Sequence, residues 1–285
     1  MKEHKTTLAV MILLGVAACI LIFLRLDAAN PGERLEPLKV TVLKIGKADA
    51  IVAQNGDQTV VIDAGEEEDG AEIVTFLTRQ GISRVDTLII THFDKDHVGG
   101  ADTLVEAMEI GQILLPDYEG NHTEYLDFMK ALRQQGIEPL RLTGSMEFKL
   151  GEADVRVEPP ESFEIPDNVL EYDNNLSLVT TITHGNNRLL FAGDAEKQRI
   201  REWISGGTAE ACDFVKMPHH GVYETALQEL LETVSPEYAV ICSSNKHPSD
   251  TKTLELLKKY GVRTFETKNG DVTVTSDGNK LEVVQ

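Results

Sequence analysis

The stretch "THFDKDHVGG", Thr91 to Gly100, gathers His92, Asp94, Asp96 and His97 around Phe93 and Lys95. It comes directly after "VDTLII" (85–90), an apolar run that reads as a buried strand. A solvated loop would account for charge in such a place. Imidazole and carboxylate together, however, are the usual ligands of divalent metal ions. The rest of the chain decides between the two.

The remaining candidates fall in matching places. Asp194 follows "RLLFAG", His219 and His220 follow "FVKMP", and His247 follows "YAVICSSN" and Lys246. Every cluster therefore lies just beyond the carboxyl end of an expected strand, where α/β sheets build their sites. One charged loop is easily bland, but this coincidence points to a metal centre.

Between these points the chain alternates short apolar runs with helical periodicity. "LKVTVLKI", "AIVAQ" and "TVVIDAG" read as strands, with "QNGDQ" a hairpin turn between the last two. "GAEIVTFLTRQG", "DTLVEAMEIG" and "TEYLDFMKALRQQG" read as helices and "QILLP" as a strand. A β-rich stretch covers residues 138–192, with "LSLVTTITHGNNRLLFAGD" a hairpin that puts His184 at its tip. Helices from Glu196 and Thr225 and over "TKTLELLKKYG" then alternate with strands to the end. The mixture predicts sheets covered by helices in a single α/β domain.

The motifs resemble those of the metallo-β-lactamase superfamily. "THFDKDHVGG" matches its H-x-[HD]-x-D-H signature, and the variant with Asp94 in the second histidine's place resembles the C-terminal hydrolase domain of ComEC-type competence proteins. "IGKADAIVAQNGDQTVVIDAG", "NNLSLV", "LLFAGD", "VKMPHHG" and His247-Pro248 resemble the family's other motifs, in order, from Leu38 to Gln285. The resemblance implies the αβ/βα sandwich of that superfamily. It also implies two divalent ions, Zn²⁺ or Mn²⁺, and hydrolysis by a metal-bound hydroxide. His92, Asp94, Asp96, His97, Asp194 and His247 are the expected ligands, with Asp194 bridging the ions and Asp96 also counted among the catalytic groups.

Asp94 is a hard oxygen ligand that shifts preference towards Mn²⁺ or Mg²⁺. The family's usual third histidine of the first site is missing, and Asn175 and Ser177 occupy its region as supporting groups. Asp63 is read as the acid that orients a ligand imidazole from behind. Of the adjacent pair, His219 is expected inside the site as proton donor or extra ligand, with His220 behind or beside it. Lys216 and Lys246 flank the site and could hold an anionic substrate. His4, His122 and His184 are expected at the surface.

Composition bounds the rest. A hydrophobic content of 41% supports an ordinary core, and a net charge of −20 spread along the chain argues against nonspecific coating of nucleic acid. Cys212 would begin one strand and Cys242 end a neighbouring one, too far apart for a disulfide, which needs Cα atoms within about 7 Å. Residues 1–7 form a short tail with Lys2 and Lys5. Residues 8–24 then run uncharged for about 17 residues, the short end of a membrane span. The expected organisation is a cytoplasmic tail (1–7), a transmembrane anchor (8–24), a linker (25–37) and an extracytoplasmic hydrolase domain (38–285). The resemblance implies a phosphoester substrate, with single-stranded DNA or an envelope polymer as candidates. A choline-phosphate esterase of the envelope is the rival enzyme, and a metal-stabilised binding module the non-enzymatic alternative. No protein partner can be inferred.

Overall fold

A computed structural model describes residues 35–163 and 172–285. The expected anchor, residues 8–24, lies outside the described residues; among these, no helix is long and apolar enough to cross a membrane.

The chain opens with a meander of β1 (Leu38–Val42), β2 (Ile51–Asn55) and β3 (Gln58–Ile62). Then come α1 (Gly70–Arg79), β4 (Arg84–Ile89), the single turn α2 (Lys95–Val98), α3 (Ala101–Ala107), β5 (Glu109–Pro116), α4 (Thr123–Gln135) and β6 (Leu140–Leu142). The antiparallel strands β7 (Met146–Leu150), β8 (Ala153–Glu158), β9 (Val179–His184) and β10 (Asn187–Phe191) follow. Next are α5 (Lys197–Ser205), β11 (Phe214–Lys216), α6 (Ala226–Val234), β12 (Tyr238–Ile241), α7 (Thr251–Lys259) and β13 (Arg263–Glu266). The chain closes with β14 (Val272–Ser276) and β15 (Leu281–Val284).

These strands make two sheets, ordered β15-β14-β1-β2-β3-β4-β5-β6 and β13-β12-β11-β10-β9-β8-β7. Each has a parallel half, β3 to β6 in the first and β10 to β13 in the second. Strands of a parallel half are covered on both faces, which explains their unbroken apolar runs. In β4, Ile89 joins the core between the sheets, with Val40, Leu114, Ile182, Phe191 and Val240. Its neighbours Leu88 and Ile90 point the other way, into a core with Ile73 and Leu77 of α1, Leu104 of α3 and Phe128 of α4. The second sheet repeats the scheme, with Leu190 and Val215 packed against Trp203 of α5, Leu230 of α6 and Leu257 of α7. The result is the expected αβ/βα sandwich, and the carboxyl ends of β4, β10, β11 and β12 carry the candidate clusters.

Two local expectations change. "EIG" after α3 is strand, because the parallel pairing of β4 with β5 extends back to Arg84 opposite Glu109, whose side chains form an ion pair. His184 is buried rather than exposed. The turn between β14 and β15 folds over the β9–β10 hairpin, and Ser276 Oγ lies 2.9 Å from His184 Nδ1. Cys212 and Cys242 are both free, as expected, and both are buried.

Candidate metal centre

The centre is assembled from the segments that leave β3, β4, β10 and β11. Asp63, just past β3, is fully buried and holds a left-handed backbone (φ 59°). Its carboxylate accepts from Thr91 N–H (2.7 Å) and Thr91 Oγ1 (2.8 Å), fixing the start of the motif behind β4. The same carboxylate lies 2.8 Å from His97 Nδ1. A carboxylate behind one ring nitrogen sets the tautomer and aims the other nitrogen forward.

Asp94 holds the N-cap position of α2 with an extended backbone (φ −66°, ψ 146°), and Asp96 and His97 sit on that turn. The change from extended to helical chain divides the motif. His92 Nε2 faces Asp94 Oδ2 at 3.6 Å, while Asp96 Oδ2 faces Lys47 Nζ (2.5 Å) and His220 Nε2 (3.2 Å). His92 and His97 lie side by side, ring centres 4.1 Å apart.

Asp194 comes in from the opposite sheet. Gly193 before it has φ 52°, and a Cβ there would sit 2.8 Å from Thr91 Cβ. Glycine is therefore what lets the end of β10 close on the motif. Asp194 Oδ1 lies 3.2 Å from His97 Nε2 and 3.3 Å from Lys216 Nζ, and its Oδ2 lies 2.9 Å from His220 Nε2.

The adjacent histidines exchange the places expected of them. His220 enters the centre, between Asp194, Asp96 and Asp49, whereas His219 is 28% exposed and turns Nδ1 towards Glu196 Oε1 at 3.5 Å. The expectation of His219 inside assumed an extended chain leaving Pro218. Both residues instead adopt left-handed backbone, φ 47° and 50°, so the chain coils and the second side chain swings inward. Each such residue costs about 1–3 kcal/mol, which the surrounding contacts must offset.

Lys216 also differs from expectation. It is fully buried, ion-paired with Asp49 and Asp194, and donates to Gly193 O at 3.1 Å, so substrate cannot reach it. As the last residue of β11 it points into the centre, and its charge is neutralised there. Asp49, fully buried in the loop after β1, was given no role from the sequence, although it is the aspartate of "IGKADAIV". Nothing local marks it, because its partners lie far along the chain.

His247 is not brought to the cluster. Its carbonyl accepts from Ser244 N–H and its own N–H donates to Ser244 Oγ, so the loop turns back on itself and leaves the ring exposed. With Lys246 and Lys47 it lines a cavity of about 420 Å³ bordered by Glu66, Glu68 and Asp69. Asn175 and Ser177 stand behind the centre. Asn175 Nδ2 donates to Glu196 Oε2 (3.1 Å), and Ser177 Oγ accepts from Asp194 N–H (3.3 Å).

Burial alone would raise the Asp49 carboxyl, but the Lys216 ammonium and the two nearby imidazoles hold it at about 2. Burial would lower His220, yet Asp194, Asp49 and Asp96 push it up to about 10. His97 is likewise held well above its ordinary value by Asp194 and Asp63, against its burial. Without a metal, His97 and His220 thus hold their protons among the carboxylates of the centre.

Its hydrogen bonding is incomplete. His92 Nε2, His97 Nε2 and both ring nitrogens of His220 are buried without a hydrogen-bond partner, although carboxylate oxygens stand nearby. The rings and carboxylates are close, yet the N–H vectors are not directed along the short approaches. Ligand atoms converging on shared ions have that arrangement. Two overlapping sets, His92–His97–Asp194 and Asp96–His97–His220, each place their ligand atoms within 4.8 Å of one another. The residues therefore fit divalent metal.

Known proteins show what the chain is similar to. The chain is 26% identical over 204 residues to ComE operon protein 3 of Bacillus subtilis, covering 70% of this chain and 26% of that protein. It is 27% identical over 259 residues to Recombination protein 2 of Haemophilus influenzae, covering 87% of this chain and 30% of that protein. The chain thus spans about a third or less of the length of these curated relatives. Among solved structures, the metallo-β-lactamase fold protein YhfI of Bacillus subtilis superposes with a TM-score of 0.59 at 13% identity, over 85% of this chain and all of that one. The model of the Metallo-beta-lactamase superfamily matches residues 44–244. With its fold, its ordered motifs and its converging ligands, this chain belongs to the metallo-β-lactamase superfamily and is related to the competence proteins within it.

Proposed function

We propose that the chain is a metal-dependent hydrolase of phosphodiesters, anchored through residues 8–24 with its catalytic body outside the cytoplasm. The observation that carries the reading is the convergence of His92, Asp96, His97, Asp194 and His220 with unpartnered, buried ring nitrogens. Divalent ions held there would polarise the ester and activate water near neutral pH. The chain's own contribution is to hold them rigidly, with Asp63 behind His97 and Ser177 behind Asp194. His219, partly exposed with Nδ1 facing Glu196 Oε1, would be the proton donor to a leaving group, and because burial lowers its pKa that role should strengthen as pH falls. Lys246 and His247 line the cavity with Lys47, which is ion-paired to Asp96, and the exposed Lys246 ammonium would be a cationic partner for a phosphate.

One feature favours a second reading. Glu66, Glu68 and Asp69 line the same cavity, so it presents both charge signs. A phosphoester carrying a cationic group, as in phosphorylcholine, matches that wall better than a polyanionic DNA strand does. The assay is the full-length chain in detergent with Mn²⁺ or Zn²⁺ against bis-p-nitrophenyl phosphate, single-stranded DNA and p-nitrophenyl phosphorylcholine. Metal-dependent turnover of the first is expected, and the other two rank the substrates. A chain loaded with metal that cleaves none of them is not a phosphoesterase. Protease added to intact cells should remove the body, and protection there would refute the topology.

A further inference from the structure

The side of the centre formed by His92 and Asp94 is short of ligands. His92 is fully buried with Nε2 unpartnered, and that nitrogen faces Asp94 Oδ2 at 3.6 Å. The slot that follows in sequence does not help. Asn174 and Asn175 donate to Glu196, and Ser177 Oγ accepts from Asp194 N–H. Two other side chains do reach Asp94. Ligand atoms of Asp94, His122 and Asp173 all lie within 4.8 Å of one another.

These residues arrive from separate elements. Asp94 holds the N-cap position of α2 with no side-chain capping bond, His122 precedes α4, and Asp173 begins the 3-10 turn Asp173–Leu176. His122 holds the N-cap position of α4, yet its side chain makes no capping bond. Its loop is locked to the motif. A Cβ on Gly120 would sit 2.6 Å from Tyr125 Cγ and 3.0 Å from Phe93 Cβ, and Phe93 N–H donates to Tyr118 Oη at 2.9 Å. The residue between His92 and Asp94 thus also seats the loop that carries His122. Carboxylates as close as Asp94 and Asp173 repel each other, a conflict that a cation between them removes.

We propose that His122 and Asp173 complete the first cation site with His92 and Asp94, in place of a histidine from the Asn174–Ser177 slot. Two carboxylates beside two imidazoles make it richer in oxygen than an all-histidine site, and so better suited to Mn²⁺ than an all-histidine site would be. The assignment rests on the metal-dependent reading above and is independent of the substrate.

The test is Mn²⁺ titration of the full-length chain, with free ion followed by electron paramagnetic resonance and binding heat by calorimetry. The wild type should take up two ions. The double variant His122→Ala/Asp173→Asn should keep one at wild-type affinity and bind the other at least ~10–100-fold more weakly, the range seen even for residues that only support a ligand. Its unfolding midpoint without metal should not fall below the wild-type value, because the substitution also removes the repulsion between Asp94 and Asp173. Asp173→Glu, which retains the carboxylate, should still take up two ions. Wild-type binding by the double variant, equal weakening of both ions, or a wild type that binds a single ion would each overturn the assignment. A two-ion protein without phosphoesterase activity would instead sink the proposed function and leave the ligands standing.

Discussion

His219 and His220 are neighbours in the chain, yet only His220 touches the aspartates of the centre. The two substitutions should therefore fail differently. His220→Ala removes a ligand, so bound metal should fall and every substrate should suffer. His219→Ala should keep its metal and lose about 10²–10⁴-fold in turnover on an ester with a poor leaving group, with a much smaller loss on a nitrophenyl ester, whose leaving group needs no proton. Metal analysis beside the two assays separates the cases, and equal metal loss in both variants would put His219 among the ligands. The protonation of His220 makes a second prediction. Its folded value of about 10 lies above the ordinary 6.5, so in the ion-free protein its contribution to stability is full below pH 6.5 and disappears as pH rises towards 10. Metal binding runs the opposite way, because an ion must displace the proton from the ring. Apparent affinity should rise with pH between 7 and 10, by up to about tenfold per unit for each proton released. Calorimetry in buffers of different ionisation enthalpy counts those protons, and a pH-independent affinity would mean that the rings are already neutral.

Much of this centre was legible because the elements carry it. A strand that ends in ligand residues can be recognised from its apolar run and the polar break, which is how His92, Asp96, His97 and Asp194 were found together. What was illegible depended on backbone sign or on distant packing. The left-handed residues after Pro218 reversed the two histidines. The fold-back at Ser244 withdrew His247, and Asp49 acquired its role only where β1's loop meets β11. His184 was misjudged for the same reason, since the strands that cover it come nearly a hundred residues later. The end of β10 provides a test of how tightly an element must be placed. Gly193→Ala forces a side chain onto a left-handed backbone and against Thr91. The substitution should cost about 1–3 kcal/mol in stability and also weaken metal binding, because Asp194 moves with the strand end. Chemical denaturation of the metal-free protein reads the first effect and metal titration the second. Loss of stability with unchanged metal affinity would show that Asp194 keeps its place without help from the turn.

The two sheets meet along one apolar core, and the metal centre lies where their carboxyl-terminal edges face each other. His92, Asp96 and His97 belong to the first sheet's side, and Asp194 and His220 to the second's. An ion bound by both groups joins the halves of the sandwich, which the apolar core between them also holds. In the ion-free protein the same residues join them through buried ion pairs, whose desolvation cost offsets much of their attraction. Metal should therefore stabilise the whole body from Glu36 onward and not just its loops. An ion at a thousand times its dissociation constant contributes about 4 kcal/mol. For a body of this size that corresponds to a rise of roughly 8–16 °C in the unfolding midpoint. Scanning calorimetry with and without EDTA should show one transition moving by that order, and His220→Ala should abolish most of the shift. Two transitions, with only the lower one sensitive to EDTA, would show that the ion stabilises one half of the sandwich and leaves the other to its apolar core.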